Sequence, residues 1–242
     1  MKKEFVLILL LPVLFIFSCK IKISKTHFDL NYGLVAYYPF NGNANDESGN
    51  GNNGVVMGAK LSSDRFGNPN SAYYFNGTDN QIIVPNSSSL QITGPITLSA
   101  WFNTTNNSSN IMGILSKVET SEIMHSYKIE IYNSKALVDL LYDHKAGIGS
   151  LVETVNTLTD GQWHHMLAEY DGSFVKLFID GKLDAVTPYT AGMQINNENL
   201  YIGWDQNSYL GDRHFEGFID DIRIYNRALS EQEMQLLYNL QK

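Results

Sequence analysis

The stretch NGNANDESGNGNNG, Asn41–Gly54, holds six Asn, two acids and a Ser. Oxygen donors of this kind are hard ligands that suit Ca²⁺ better than Zn²⁺. Asp46, Asn41, Asn43 and Asn53 are the candidate metal ligands in it. The segments GLVAYYPF before and VVMGAKL after both read as strand, so the loop joins ordered elements. DESGNG copies the first half of an EF-hand loop. Its twelfth position is Met57 in place of a bidentate Glu, and strands flank it instead of helices, which excludes that motif.

A cage built here needs a carboxylate from elsewhere. In EGFIDDIRIYNR, strand alternation puts Phe218, Asp220, Ile222 and Ile224 on one face and Ile219, Asp221, Arg223 and Tyr225 on the other. Three apolar residues mark the first face as core, which places Asp220 in an apolar register. Burying a carboxylate costs on the order of several kcal/mol unless it is paired or binds a metal. Asp220 is therefore expected to close a structural Ca²⁺ site with the Asn-rich loop. The alternative is that it accepts backbone N–H or Tyr O–H bonds and the loop is a solvated turn.

Other chemistry is thinner. A retaining glycosidase needs two carboxylates about 5 Å apart. Glu130, Glu153 and Glu198 each stand without acidic neighbours at the Glu-x-Asp-x-x-Glu steps, and no G-x-S-x-G occurs. A binding role is expected ahead of hydrolysis. His164 and His165 are adjacent on a strand, point to opposite faces and cannot share one metal. Sugar rings stack on aromatic side chains beside amides and acids. YIGWDQNSYLGDRHF supplies Trp204, Asp205, Gln206, Asn207, Tyr209 and Arg213, and Tyr142 with Asp143 and His144 forms a smaller set. These are the candidate ligand-binding residues. Trp101 and Trp163 lie inside strands and are expected in the core.

The elements that must position these groups are short strands. Runs such as Gln81–Val84, Ile96–Asn103, Ser126–Tyr132, Ala136–Tyr142, Trp163–Tyr170 and Phe174–Ile179 are separated by Asn-Gly and Asp-Gly turn signals. FVKLFIDGKLDAV reads as a hairpin on a two-residue Asp-Gly turn of type I′. More than ten such strands without intervening helices predict an all-β fold, two antiparallel sheets packed face to face. One helix is expected near the end. Ser230 and Glu233 form a capping box, Leu229 and Met234 a staple, and Met234, Leu237 and Leu240 one face over the open end of the sandwich.

The formal net charge of −8 speaks against a nucleic-acid partner, which calls for a basic surface. Lys2 and Lys3 followed by the apolar run Phe5–Phe17 read as a signal peptide. That run ends in IFSC, which resembles the lipobox of bacterial lipoproteins. The resemblance implies cleavage before Cys19, the chain's one cysteine, and its lipidation. The expected organisation is a signal peptide (1–18), a lipid-anchored tether (19–32) and a single domain (33–242). It places the protein in the bacterial cell envelope, with the lipid anchor as its membrane attachment.

GLVAYYPFNGNANDESGNGNNG, DRFGNPNSAYYFNGTDNQIIVP, ITLSAWF, WHHMLAEYDGSFVKLFIDGKL, LYIG and GFIDDIRIYNRALSEQEM occur in this order. Together they resemble the laminin-G-like, or concanavalin A-like, jelly-roll domain of bacterial secreted proteins. The resemblance covers Gly33 to about Tyr238. It implies two curved antiparallel sheets, a concave face that often binds glycans, and frequently one structural Ca²⁺. IDDIRIY is similar to the last strand of related glucanases, whose Asp helps to hold that ion and falls on Asp220. Members with paired cysteines have a disulfide, and this chain departs there. The expected partner is a glycan or glycoconjugate, with protein adhesion through the same sheet as the alternative.

Overall fold

A computed structural model describes residues 28–119, 125–143, 148–205 and 213–242. Among them are fifteen strands, a short 3₁₀ turn (Ser88–Leu90) and one α-helix. The strands are β1 (Leu34–Tyr38), β2 (Val55–Met57), β3 (Lys60–Ser62), β4 (Ala72–Asn76), β5 (Gln81–Val84), β6 (Ile96–Asn103), β7 (Met112–Val118) and β8 (His125–Tyr132). They continue with β9 (Lys135–Asp143), β10 (Ile148–Glu153), β11 (His164–Tyr170), β12 (Phe174–Ile179), β13 (Lys182–Pro188), β14 (Leu200–Ile202) and β15 (Glu216–Tyr225). The helix is α1 (Glu231–Gln241).

Eight strands form one sheet in the order β13-β12-β11-β6-β15-β4-β3, with β1 also paired to β15. Seven form the other, β10-β9-β8-β7-β14-β5-β2. The strand ladders are antiparallel, and the architecture is a jelly-roll sandwich, as expected. First and last strands pair, Tyr38 opposite Ile222. The segment after the Asn-rich loop reads as one strand in sequence but is two. β2 joins the seven-stranded sheet and β3 the eight-stranded one, with Gly58 at φ +78° between them. The predicted hairpin is present. Ile179 pairs with Lys182, and Asp180 (φ +50°) and Gly181 (φ +74°) supply the left-handed pair a type I′ turn requires.

Alternation fills the space between the sheets. Ile96, Leu98, Ala100 and Phe102 of β6 meet Tyr127, Ile129 and Ile131 of β8 in one apolar core. The same alternation sends Lys128 and Glu130 to the outer face of the seven-stranded sheet. It sends Trp101, Ser99, His165 and Leu167 to the outer face of the eight-stranded sheet.

The capping box of α1 is formed: the Glu233 backbone N–H donates to Ser230 Oγ, and the Ser230 N–H donates to Glu233 Oε2 at 2.8 Å. Leu229 and Met234 share a second apolar cluster with Leu237, Leu167, Phe178 and Tyr225. The helix therefore lies across the outer face of the eight-stranded sheet, not over the sandwich end. Leu167 and Phe178 make that face apolar, and the helix covers it. Leu240 is 67% exposed, and Gln241 takes the inward place, accepting from Trp101 Nε1 at 3.0 Å. Leu30 packs against the same cluster, so ordered contacts begin ahead of β1.

Candidate functional site

The last strand is not in continuous register. Against β6, Asp220 faces Trp101 while Arg223 faces Ser99, so two residues of β15 oppose one of β6. Asp221 takes φ +48° at this bulge. The bulge flips the alternation. Ile219, Ile222 and Ile224 all enter the core, and Phe218 and Asp220 face outward. Asp220 is buried all the same, beneath Arg65 from the β3–β4 loop. Arg65 Nη1 donates to Asp220 Oδ2, Arg65 Nη2 lies 3.3 Å from Asp221 Oδ2, and Arg65 Nε donates to the Gln241 carbonyl. The guanidinium also sits 4.6 Å over the rings of Trp101 and Phe66. Burial raises the Asp220 pKa and the Arg65 charge opposes the rise.

The Asn-rich loop has its own work. β1 pairs with β15 on one side, and the loop covers the opposite edge. Asp46 Oδ1 accepts from the Tyr37 N–H at 2.9 Å and the Ser48 N–H at 2.8 Å. Its Oδ2 accepts from Ser48 Oγ and the Asn52 N–H, each at 2.9 Å. Those four donors use the lone-pair sites a carboxylate has. Asn53 Oδ1 accepts from the Asp46 N–H and Asn43 Oδ1 from the Asn45 N–H. The Asn41 carbonyl accepts from Asn43 Nδ2. Asn50 Nδ2 and Asn52 Nδ2 donate to the Val35 carbonyl. The expected Ca²⁺ donor set does not fit this arrangement. Asp46 is turned inward to backbone N–H groups, and Asp220, the expected closing ligand, is held by Arg65.

A different cluster is present on the outer face of the seven-stranded sheet. Lys128 and Glu130 come from β8 and Asp139 from β9, where Lys128 and Asp139 are cross-strand partners. Asp205 and Arg213 come from the connection between β14 and β15. Gly113 on β7 lets that connection cross closely, since a Cβ there would stand 2.5 Å from the Asp205 nitrogen. The Gly113 N–H donates to the Arg213 carbonyl, and Ser116 Oγ to the Trp204 carbonyl. All five charged residues are buried, none above 5% exposed. Lys128 Nζ lies 3.2 Å from Glu130 Oε1, 3.4 Å from Asp205 Oδ2 and 4.0 Å from Asp139 Oδ2. Arg213 Nη1 reaches Asp205 Oδ2 at 2.6 Å. Burial pushes the Glu130 carboxyl up to about 7, against the pull of Lys128. Burial alone would lower Lys128, but Glu130, Asp205 and Asp139 together raise it. Among the described residues, Glu130 Oε2, Ser126 Oγ and Arg213 Nε are buried without a hydrogen-bond partner. Such atoms are costly to leave bare.

Trp204 borders this cluster, half-buried. His214 stacks on its ring at 5.4 Å and Tyr201 meets it edge-on at 5.0 Å. Of the residues expected to bind ligand, Trp204, Asp205 and Arg213 are thus brought together. Asn207, Tyr209, His144 and Cys19 lie outside the described residues, as does the side-chain placement of Tyr142. No sequence motif marks Lys128 or Asp139, and Glu130 lacks an acidic neighbour at the Glu-x-Asp-x-x-Glu steps. Alternation on two strands was the available signal for them. Trp101 is buried but under α1, stacked on Tyr238 at 5.8 Å. Trp163 belongs to neither apolar cluster and is half-exposed beside Phe218. The paired histidines do face opposite ways. His164 sits between Asp180 and Asp160, and His165 Nε2 lies 2.8 Å from Ser99 Oγ. Ser99 and His165 are both buried, at 0% and 1% exposure, with Tyr238 of α1 stacked on the imidazole.

The sequence over residues 76–235 matches the family described as the concanavalin A-like lectin/glucanases superfamily. The chain belongs to that superfamily. A comparison with curated protein sequences gives no match. Among solved structures, this concanavalin A-like chain is similar to the binding domain of Paraclostridial Mosquitocidal Protein 1. Identity is 20% and the TM-score 0.71, over 88% of this chain and 53% of that one. It is similar to the binding domain of botulinum neurotoxin DC in complex with rat synaptotagmin II, at 13% identity and TM-score 0.68, over 88% and 53%. The chain spans about half the length of these toxin domains. It is also similar to domain 4 of AbnA, an extracellular arabinanase of Geobacillus stearothermophilus, in complex with arabinotriose. There identity is 20% and the TM-score 0.67, over 85% of this chain and 98% of that one. At these identities the likeness is one of fold.

Proposed function

We propose that this concanavalin A-like chain is a carbohydrate-binding module of the bacterial envelope. In this reading it is exported by its basic-apolar leader and held by a lipid on Cys19. The observation that carries the binding role is the buried cluster of Lys128, Glu130, Asp139, Asp205 and Arg213 on the outer face of the seven-stranded sheet. Charged side chains are rarely buried unless paired, and this group is paired yet leaves Glu130 Oε2 and Arg213 Nε without a hydrogen-bond partner among the described residues. Sugar hydroxyls both donate and accept, which matches a mixed set of carboxylate, ammonium and guanidinium groups. The arabinotriose complex of domain 4 of AbnA supports a saccharide ligand for a domain of this shape. The Asn-rich loop acts in this account as an edge cover for β1.

A second reading is hydrolysis. Three carboxylates, Glu130, Asp139 and Asp205, gather on one lysine, and a glycosidase needs two acids that converge. One experiment separates the readings. Oligosaccharides immobilised on an array are probed with the purified chain and with Glu130→Gln, and bound ligands are then assayed for cleavage. Binding without cleavage, weakened in the variant, supports the module. Cleavage supports the enzyme. No retained saccharide of any class removes both.

A further inference from the structure

Four Asn-Gly steps occur in the described chain, at Asn41, Asn50, Asn53 and Asn76. Each is open to the same reaction. The Gly nitrogen attacks the Asn side-chain Cγ, a C–N bond forms, and the side-chain nitrogen leaves as ammonia with the proton the Gly nitrogen gave up. Water then opens the cyclic imide at either carbonyl and leaves Asp or isoaspartate. No oxidant or other reagent is needed. The nucleophile must lose its proton, so a Gly N–H held in a backbone hydrogen bond is a poor one.

Three of the four are held. The Gly42 N–H donates to the carbonyls of Phe40 at 2.8 Å and Asn70 at 2.7 Å. The Gly54 N–H donates to the Ala44 carbonyl at 2.8 Å, and the Gly77 N–H to that of Phe215 at 3.0 Å. Among the described residues the Gly51 N–H has no such acceptor, and Asn50 and Gly51 are both exposed. We propose that Asn50 is the selective site of spontaneous deamidation in this protein, and that the reaction releases the cover over the β1 edge.

The consequence follows from what the Asn50 amide does. Its Nδ2 donates to the carbonyls of Leu34 at 3.0 Å and Val35 at 3.1 Å, and to Ser48 Oγ at 3.0 Å. A carboxylate in its place presents acceptors to those carbonyls, and the donors are gone. The isoaspartate form also lengthens the backbone by one carbon, just before Asn52, whose N–H binds Asp46. The Val35 carbonyl keeps Asn52 Nδ2 at 2.9 Å, but the Leu34 carbonyl loses its side-chain donor, and a bare carbonyl on an edge strand invites pairing with another chain.

The test is peptide mapping by tandem mass spectrometry on the full chain held at mildly alkaline pH. A parallel sample is held in denaturant. The expected result is that Asn50 converts several-fold faster than Asn41, Asn53 and Asn76 in the native chain, while the four convert at similar rates in denaturant. Similar rates in the native chain, or another Asn leading, overturn the selectivity. Asn50→Asp is expected to unfold at a lower temperature than wild type. An unchanged midpoint overturns the release of the edge.

Discussion

The Asp205 carboxylate accepts from Arg213 Nη1 at 2.6 Å, and the Asp205 N–H reaches the Arg213 carbonyl at 3.4 Å. The two residues that bracket 206–212 are thereby tied by side chain and backbone, on the face where Lys128 gathers three acids. Holding charges there is a balance. Removing one partner of a buried ion pair leaves the other uncompensated and typically costs about 3–5 kcal/mol. Lys128→Met is expected to lose stability in that range by denaturant unfolding. Adding Glu130→Gln should restore part of it, because a buried acid beside Lys128 no longer needs a counter-charge. A loss under about 1 kcal/mol would mean that the cluster is solvated, as surface pairs are.

The raised Glu130 carboxyl has a pH consequence. A group whose pKa is higher folded than unfolded favours folding while protonated. Its contribution is complete below the usual glutamate value and is lost as pH rises through about 7. Unfolding curves from pH 4 to pH 8 — a window of roughly the ordinary glutamate value to one unit above the raised one — should show wild type losing more stability than Glu130→Gln. Parallel curves would contradict this environment for Glu130.

At the other end of the chain the sign reverses. The hydrogen bonds from Arg227 hold Glu233 down at about 2, helped by the Ser230 N–H and hydroxyl. That contribution is present above the unfolded value and disappears as pH falls towards 2. Glu233→Gln should therefore be less stable than wild type at neutral pH and converge with it in acid. The helix signal by circular dichroism reads both limits.

Asp46 accepts four hydrogen bonds, one from the Tyr37 N–H of β1 and three from Ser48 and Asn52 of its own loop. Hydrogen bonds to a charged group contribute about 1.5–3 kcal/mol each in favourable cases. Asp46→Ala is expected to cost at least about 2 kcal/mol. Since these donors occupy the carboxylate and Arg65 holds Asp220, the thermal midpoint should be the same in EDTA as in added Ca²⁺. A rise with Ca²⁺ that Asp220→Asn abolishes would show that the two aspartates share an ion after all.

Much of the frame was readable because it depends on neighbours in sequence. The Asp180-Gly181 hairpin, the Ser230–Glu233 box and the alternation of Ile96–Asn103 are local, and each is found as expected. Alternation puts Asp220 on the core face only along an unbroken ladder, and the bulge between Asp220 and Arg223 breaks it. Asp221 adopts φ +48°, which no neighbouring residue type announces. Helical spacing puts Leu240 on the buried face of α1, but the helix meets Trp101 and Arg65 near its end, and Gln241 hydrogen-bonds there where leucine cannot. The charge cluster was illegible for a different reason. Its members come from β8, β9 and the β14–β15 connection, and only pairing of those segments brings them within reach of Lys128.

The outer face of the seven-stranded sheet is proposed to bind saccharide through this cluster. Calorimetric titration of an array-selected oligosaccharide into wild type, Glu130→Gln and Asp46→Asn measures it most directly. Glu130→Gln is expected to weaken binding at least tenfold while remaining folded, and Asp46→Asn, on the edge of the other sheet, to leave affinity unchanged. Equal affinity in wild type and Glu130→Gln would contradict it and place any saccharide site elsewhere on the domain.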